Sequence, residues 1–289
     1  MDNQPPSVLP DPSIIEPVEV LHLDHYCEGP VVDRHGALYI SACSGGYVLK
    51  RTPGGEFVEW TAVQRPNGHK ILPNGEHLLC DTERGAVLRL DADGQVLEEA
   101  AAGHAASDSN GPDHELSRPN DLTLDPGGGF YVTDSVRHHG AVIFVSPGGQ
   151  QRIVAGNIDF ANGVVLSADG QQLYVAESYQ NRILVIDLEV PGVAVGPPRV
   201  HAELPTNQKG EKDAYNLPDG IALDADGRLW VAHYGMSAVH VLGGDGQLLA
   251  TYDAGHALAS NLCFADGLYV TGGDGEPGPG TLVRLDLGS

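Results

Sequence analysis

The chain has 289 residues, 41% of them hydrophobic, which is enough to bury a substantial core in one large domain or two smaller ones. Its 39 acidic and 16 basic residues give a formal charge of −23, which disfavours nucleic-acid and anionic-lipid partners. The absence of an apolar run of about 18 residues argues against a membrane-spanning helix.

The N-terminal residues MDNQPPSVLPDPSIIEP are acidic and proline-rich, and they lack the basic and apolar regions of a signal peptide. We therefore expect a cytoplasmic protein. Four cysteines are spread along the chain without a C-x-x-C pair, so we expect buried free thiols and neither a zinc ribbon nor a thioredoxin-type site. These cysteines are Cys27, Cys43, Cys80 and Cys263.

Six segments of the chain align on one template. Each begins with an acid or amide, usually followed by Gly, and continues with a short apolar strand, an Asp/Asn/Gly turn and a strand of the L-Y-V or L-W-V kind. With the apolar run that follows most units, about four strands recur every ~45 residues. The pattern predicts an all-β fold, a six-bladed β-propeller with four-stranded antiparallel blades around a central channel. We expect residues 1–289 to form this single domain.

The two ends of the chain are expected to meet. Residues 1–20 are interpreted as an N-terminal extension and ring-closing segment, because SIIEPVEVLHL would pair with TLVRLDL of the last blade. Two unequal steps in the repeat mark insertions at residues 104–117 and 190–216. Loops of this length in a compact domain are often functional.

The first template residue of each unit carries a side-chain oxygen. Since the inner strand of each propeller blade lines the channel, these six side chains are expected to converge near one end of the axis. Burying carboxylates and amides together is costly without partners, and a bound cation would relieve that cost. Oxygen donors suit Ca²⁺, Mg²⁺ or Mn²⁺ better than a structural zinc. The six residues are Glu28, Asn67, Asn120, Asn162, Asp219 and Asn261.

A simpler interpretation is that Asn-Gly and Asp-Gly are turn residues, repeated because the blades repeat. It accounts poorly for Glu28, because Glu is not a turn former. It also leaves unexplained why the pair precedes the inner strand and does not sit in a hairpin.

The motifs EGPVVD, RPNDLTLDPGG, ANGVVLSADGQQLYVAES and LPDGIALDADGRLWVA resemble the senescence marker protein/gluconolactonase/luciferin-regenerating family. The resemblance runs from about residue 28 to the C-terminus. It implies one divalent metal ion bound by Glu28, Asn120, Asn162 and Asp219, with Ca²⁺ preferred and Mg²⁺, Mn²⁺, Zn²⁺ or Fe²⁺ as alternatives. It further implies that Asp219 is the general base and that Arg118 orients the substrate. For Arg118 the alternative is an ion pair at the surface or between blades.

Three positions depart from the usual pattern of the sugar lactonases. Val31 replaces the Trp after E-G-P, Leu122 replaces the Gly after N-D, and FYVTDS begins at Phe130 where those enzymes carry a different strand. The metal site is unaffected by these differences, but the inference to a sugar substrate is weaker.

The predicted function is metal-dependent hydrolysis of a small-molecule lactone, in which water attacks a cation-polarised carbonyl group. The sequence contains no G-x-S-x-G motif, so a nucleophilic serine is not indicated. Candidate pocket residues are Asn67, His69, Asn261, His233 and Tyr234. Candidate wall or lid residues in the first insertion are Asp113, His114 and Glu115.

Two other functions fit the same pattern. One is phosphotriester or P–F bond hydrolysis at the same metal site. The other is a non-catalytic metal- or ligand-binding propeller, since many propellers are interaction platforms. A buried Glu and Asp at the template position favour an enzyme, because a scaffold does not need them.

Overall fold

Short antiparallel strands joined by tight turns make up most of the protein. The structure is a computed structural model, and it describes residues 8–106, 114–207 and 216–288. Within these residues two short 3-10 helices, Pro12–Ile14 and Ser178–Gln180, accompany the strands. No helix of the described part is long and apolar enough to cross a bilayer.

The first half of the described chain forms one N-terminal strand and three blades. The N-terminal strand is β1 (Val18–Leu23). Blade 1 consists of β2 (Cys27–Val32), β3 (Leu38–Ala42), β4 (Tyr47–Arg51) and β5 (Phe57–Ala62). Blade 2 consists of β6 (Pro66–Ile71), β7 (His77–Asp81), β8 (Ala86–Leu90) and β9 (Val96–Ala105), with β10 (His114–Leu116) on its edge. Blade 3 consists of β11 (Pro119–Leu124), β12 (Phe130–Asp134), β13 (Gly140–Val145) and β14 (Gln151–Ile158).

The second half forms the other three blades. Blade 4 consists of β15 (Ala161–Leu166), β16 (Gln172–Glu177) and β17 (Arg182–Val190), which pairs with both β18 (Val193–Ala194) and β19 (Arg199–Glu203). Blade 5 consists of β20 (Leu217–Leu223), β21 (Leu229–Tyr234), β22 (Ala238–Leu242) and β23 (Leu248–Asp253). Blade 6 consists of β24 (Leu258–Phe264), β25 (Leu268–Gly273) and β26 (Gly280–Leu285), completed by β1.

The ring of blades is closed by the N-terminal strand. Strand β1 pairs antiparallel with β26, from Val18 opposite Arg284 to Leu23 opposite Gly280. At the axis each inner strand packs against the inner strand of the next blade, and β24 packs against β2. The predicted six-bladed β-propeller is therefore confirmed, and the closing strand reaches residue 23.

The hydrophobic core lies between the blades. Val142 of blade 3 and Val175 of blade 4, for example, belong to one buried cluster, and Trp230 of blade 5 belongs to another with Val270 of blade 6. Ile15 of the N-terminal extension packs against the second cluster. All four cysteines are free thiols, and three of them are buried. Because apolar residues cover both faces of each blade, the axis is left to polar side chains.

Every inner strand is irregular at its template position or directly beside it. In β6, β11, β15 and β20 two consecutive residues face a single residue of the neighbouring strand, which is a β-bulge. Those pairs include Asn162-Gly163 and Asp219-Gly220, so the repeated Asn-Gly and Asp-Gly dipeptides lie in strands and not in hairpin turns. The bulge is the local feature that distinguishes the axial end of each inner strand.

In four of the six blades glycine follows the template residue, because neighbouring inner strands almost touch there. A Cβ atom on Gly163 would collide with the Asp219 carbonyl oxygen and would lie 2.8 Å from the Cα of Gly220. A Cβ atom on Gly220 would collide with the side chain of Asn261. These contacts are closer than real Cβ atoms make, so the strands could not approach the axis with larger residues.

We expect Gly163→Ala to destabilise the protein by about 2 kcal/mol or more, because the added methyl group overpacks a backbone that has no room to move. Thermal unfolding followed by circular dichroism measures this as a lowered midpoint. The matched control is Gly156→Ala in β14, where an added Cβ meets nothing within 4 Å. Equal unfolding midpoints for the two variants would contradict the close approach at the axis.

Candidate metal centre

The template residues surround one cavity at the start of the inner strands. The cavity has a volume of about 270 Å³. Asn261, also predicted to line the pocket, is buried outside this lining, and its Oδ1 accepts a hydrogen bond from the Leu262 N–H at 2.8 Å. The structure thus brings residues nearly 200 positions apart to one point. The five template residues that line the cavity are Glu28, Asn67, Asn120, Asn162 and Asp219.

Two buried carboxyl groups dominate the electrostatics of this cavity. Glu28 is 4% exposed and Asp219 is 7% exposed. Burial, with repulsion from Asp121, raises the pKa of Glu28 to about 8, although the Gly29 N–H donates to Oε2 at 3.0 Å. Burial and the charge of Glu28 hold the pKa of Asp219 well above its ordinary value. Holding both groups ionised therefore requires a positive charge in the cavity.

The amide side chains present oxygen atoms without partners. The Nδ2 of Asn162 donates to the Ser178 hydroxyl at 3.1 Å. The Oδ1 of the same side chain remains as an acceptor for a ligand in the cavity. The Oδ1 atoms of Asn162 and Asn67 are buried and accept no hydrogen bond in the described structure. A buried acceptor without a partner costs free energy, so these oxygens are candidate ligands.

A divalent cation fits this donor set. It would neutralise the two carboxylates and would satisfy a partnerless amide oxygen, and the all-oxygen composition suits a hard cation. Among the described residues, no group of three or more His, Cys, Asp or Glu side chains could hold a metal ion. The candidate ligands Glu28 and Asp219 therefore depend on the two amides, Asn120 and Asn162, to complete the site.

Hydroxyl groups that sequence reasoning missed link blades 2, 3 and 4 to the following blade beside the cavity. Thr82 donates to the Pro119 carbonyl at 2.7 Å, and Ser135 donates to the Ala161 carbonyl at 2.6 Å. Ser178 makes the same bond to the carbonyl group before Asp219, at 2.7 Å. Each hydroxyl thus holds the peptide that precedes a candidate ligand of the following blade.

The acidic residue before each of these hydroxyl residues accepts hydrogen bonds from the backbone just before the inner strand of its own blade. Asp81 accepts hydrogen bonds from the backbone N–H groups of Gln64 and Arg65, at 3.0 and 2.9 Å. Asp134 accepts from the N–H groups of Ser117 and Arg118 in the same way. The detectable signal was an acid–hydroxyl dipeptide after the second strand, which recurs as Asp81-Thr82, Asp134-Ser135 and Glu177-Ser178.

Arg118 and Tyr234 line the cavity, as expected for pocket residues. Arg118 forms no ion pair or side-chain hydrogen bond with any described residue, so the alternative of an ion pair finds no support there. Of the first insertion, Asp113 lies outside the described residues. His114 binds Asp134 Oδ2 at 2.7 Å, and neither it nor Glu115 lines the cavity.

Contrary to the prediction, His69 and His233 lie outside the cavity lining. The bulge at Asn67-Gly68 shifts the alternation of side chains, so His69 enters the space between blades 1 and 2. There its ring stacks on Trp60 and its Nε2 lies 2.8 Å from His77 Nδ1. His233 pairs with His240 at 3.0 Å, and burial lowers its pKa to about 3. Both are neutral core histidines.

The departures at positions 31 and 122 lie outside the cavity as well. Leu122 is fully buried in the core between blades 2 and 3. Val31 packs against the cluster that contains Tyr39 and Leu88. Neither residue lines the cavity. These substitutions therefore change the packing between blades, and other residues determine the shape of the pocket.

Comparison with known proteins agrees with this architecture. Residues 26–273 match the SMP-30/Gluconolactonase/LRE-like region. Lactonase drp35 of Staphylococcus saprophyticus is 30% identical over 276 residues, which cover 90% of this chain and 79% of the relative.

Solved structures show the same fold. A gluconolactonase from Xanthomonas campestris superposes with a TM-score of 0.77 at 24% identity, covering 98% of this chain and 96% of its own. Regucalcin from Agrobacterium tumefaciens, a calcium-binding protein, gives a TM-score of 0.74 at 18% identity, covering 93% and 92% of the two chains. The match over most of the chain shows that this protein belongs to the SMP-30/gluconolactonase/LRE-like family.

Proposed function

We propose that this protein is a metal-dependent lactonase that binds one divalent cation, preferably Ca²⁺, through Glu28, Asn120, Asn162 and Asp219. The observation that carries the proposal is the pairing of two buried carboxyl groups of raised pKa with a partnerless amide oxygen in one cavity. The lactonase relatives support the reaction class, and the calcium-binding neighbour in the same fold supports the choice of ion.

A bound cation would supply Lewis-acid polarisation of the ester carbonyl group and would favour deprotonation of water. Asp219 is the general base of this proposal, and its carboxylate takes a proton from the attacking water. The water oxygen bonds to the carbonyl carbon, the ring C–O bond breaks, and the proton passes to the departing ring oxygen. The product is a hydroxy acid. Arg118, on the cavity wall, orients the substrate through its guanidinium group.

Glu28→Gln and Asp219→Asn are each expected to lower metal-dependent lactonase activity by about 100-fold or more, because each removes a carboxylate ligand and Asp219→Asn also removes the base. The measurement is kcat/KM on a lactone panel, with metal-stripped protein to which Ca²⁺, Mg²⁺, Mn²⁺, Zn²⁺ or Fe²⁺ is added back.

Glu59→Gln is the matched control. Glu59 is exposed on β5, so this substitution makes the same chemical change as Glu28→Gln but away from the cavity. Full activity of either cavity variant would rule out the proposed site. A phosphotriester panel with the same preparations separates the two hydrolase functions. Metal binding by the unmodified protein without hydrolysis of either panel would favour a non-catalytic propeller.

The metal-free protein is expected to lose stability as the pH rises from 4.5 to about 8, because folding raises the pKa of Glu28 across this window and disfavours its ionised form. The Glu28→Gln substitution removes this loss of stability at high pH, because glutamine does not ionise. In the presence of a chelator at about pH 8, the variant should unfold several degrees higher than the unmodified protein, and the gap should narrow towards about pH 5.

Saturating Ca²⁺ should reverse the order, since only the unmodified protein retains both carboxylate ligands. Scanning calorimetry at several pH values, with chelator and with Ca²⁺, measures both effects. A Glu28→Gln variant less stable than the unmodified protein at high pH without metal would show that Glu28 is not an electrostatic cost to the fold.

A further inference from the structure

A second ring of side chains stands next to the candidate ligands. Each inner strand is entered by a residue two positions before its template residue, so these entry residues are equivalent in the six blades. All but the one in blade 6, a buried alanine, line the cavity. In blade order the entry residues are Tyr26, Arg65, Arg118, Phe160, Leu217 and Ala259.

Blades 2 and 3 contribute the cationic part of this ring. Arg65 and Arg118 each precede a Pro-Asn pair, and their backbone N–H groups bind the equivalent acids Asp81 and Asp134. The two side chains therefore start from matching positions in adjacent blades. Within the described residues neither guanidinium group has an ion pair or a hydrogen bond.

Most arginines of the described structure pair with a carboxylate, in a chain with 39 acidic and 16 basic residues, although Arg34 and Arg51 contact neutral groups instead. Elsewhere in the described structure, seven arginines form ion pairs with Asp or Glu. These are Arg84, Arg89, Arg137, Arg182, Arg199, Arg228 and Arg284. The two at the cavity are thus left available to an anionic ligand, for which guanidinium is well suited.

Blades 4, 5 and 1 contribute an apolar part that faces the same cavity. Phe160 has a left-handed backbone, with φ 69°, which is strained for a bulky side chain. Its ring packs edge-on against Tyr179 at 5.4 Å, and Tyr26 packs against Tyr234 at 6.2 Å. With Leu217 these rings form a preorganised surface for an apolar or aromatic group.

The acidic groups of the cavity give an anionic ligand only one favourable orientation. Glu28 and Asp219 lie at the axis, and Glu276, on the loop between β25 and β26, lines the cavity and repels both of them. A negative group on the ligand is therefore favoured only beside Arg65 and Arg118.

We propose that the substrate is an amphiphilic lactone that carries a carboxylate, which Arg65 and Arg118 bind, and an apolar or aromatic group, which packs against Phe160, Leu217 and Tyr26. The proposal rests on the lactonase function, because it assumes that the lactone ring lies at the axial carboxylates. It assigns Arg65 a role in substrate specificity.

Binding of inert analogues tests the anion site without requiring hydrolysis. The probes are 4-(tetrahydrofuran-2-yl)benzoate and the matching benzamide, which share a ring and a shape and differ in charge. In calorimetric titrations of the Ca²⁺-loaded protein, the benzoate should bind about tenfold more tightly than the benzamide. Arg65→Gln and Arg118→Gln should each reduce that preference to about twofold, and Arg65→Lys should retain part of it.

Two further variants separate charge from packing. Arg199→Gln makes the same change of net charge on the surface and should keep the full preference. Phe160→Ala should weaken both probes about fivefold or more and leave their ratio unchanged. Equal binding of the two probes to the unmodified protein, or an unchanged preference in Arg65→Gln, would overturn the proposal.

Hydrolysis of the corresponding lactones is measured alongside. The substrates are the γ-butyrolactones that carry a para-carboxyphenyl or a para-carbamoylphenyl group at the γ position. A tenfold higher kcat/KM for the carboxylate supports both proposals. If neither lactone is hydrolysed and the benzoate still binds preferentially, the lactonase function fails and the anion site stands. If both lactones are hydrolysed at equal rates and the two probes bind equally, the lactonase function stands and the anion site fails.

Discussion

The close approach of six inner strands at the propeller axis is the constraint on which the site depends. At this end of the channel the strands are so near that a single Cβ atom on Gly163 or Gly220 would collide with the next blade. The bulges and glycines permit that approach, and they place oxygen-bearing side chains around one point. Burial of the carboxyl groups gathered there, together with their mutual repulsion, raises the pKa of Glu28 and Asp219. The fold thus creates an electrostatic cost that a cation would relieve.

The hydrogen bonds around the axis explain how such a costly cluster is held in position. Asp134 binds the backbone that enters the inner strand of its own blade, and the adjacent Ser135 binds the backbone that enters the next one. Asp81-Thr82 repeats this arrangement one blade earlier. Blades 2, 3 and 4 therefore each position a candidate ligand of the following blade, although these residues are distant in sequence. Sites built on such rigid strands hold their side chains with little freedom, which favours selective binding.

The same backbone pattern also carries the entry residues that line the cavity. The backbone N–H groups of the entry residues Arg65 and Arg118 are held by Asp81 and Asp134, so a change of side chain at such a position alters the pocket without altering the axial ring. The cationic side chains at the entry positions of blades 2 and 3 and the apolar side chains at those of blades 4, 5 and 1 are two examples of such changes. A propeller of this kind can therefore keep its axial residues and differ in its pocket, because the axial residues and the cavity wall occupy different repeat positions.

Much of this was determined by the sequence alone. Alternating apolar strands and a repeat of about 45 residues predicted the six-bladed propeller, because side-chain periodicity and turn chemistry are local properties of the chain. Equivalence of the repeats also predicted that Glu28 and Asp219 would meet, since closed rotational symmetry brings like positions together. What the tertiary structure decided was the direction of individual side chains. His69 looked like a pocket residue in sequence, but the bulge at Asn67-Gly68 turned it between the blades. Likewise, Arg65 and Arg118 line one cavity because adjacent blades pack side by side, and such packing in three dimensions is not recorded in any local pattern.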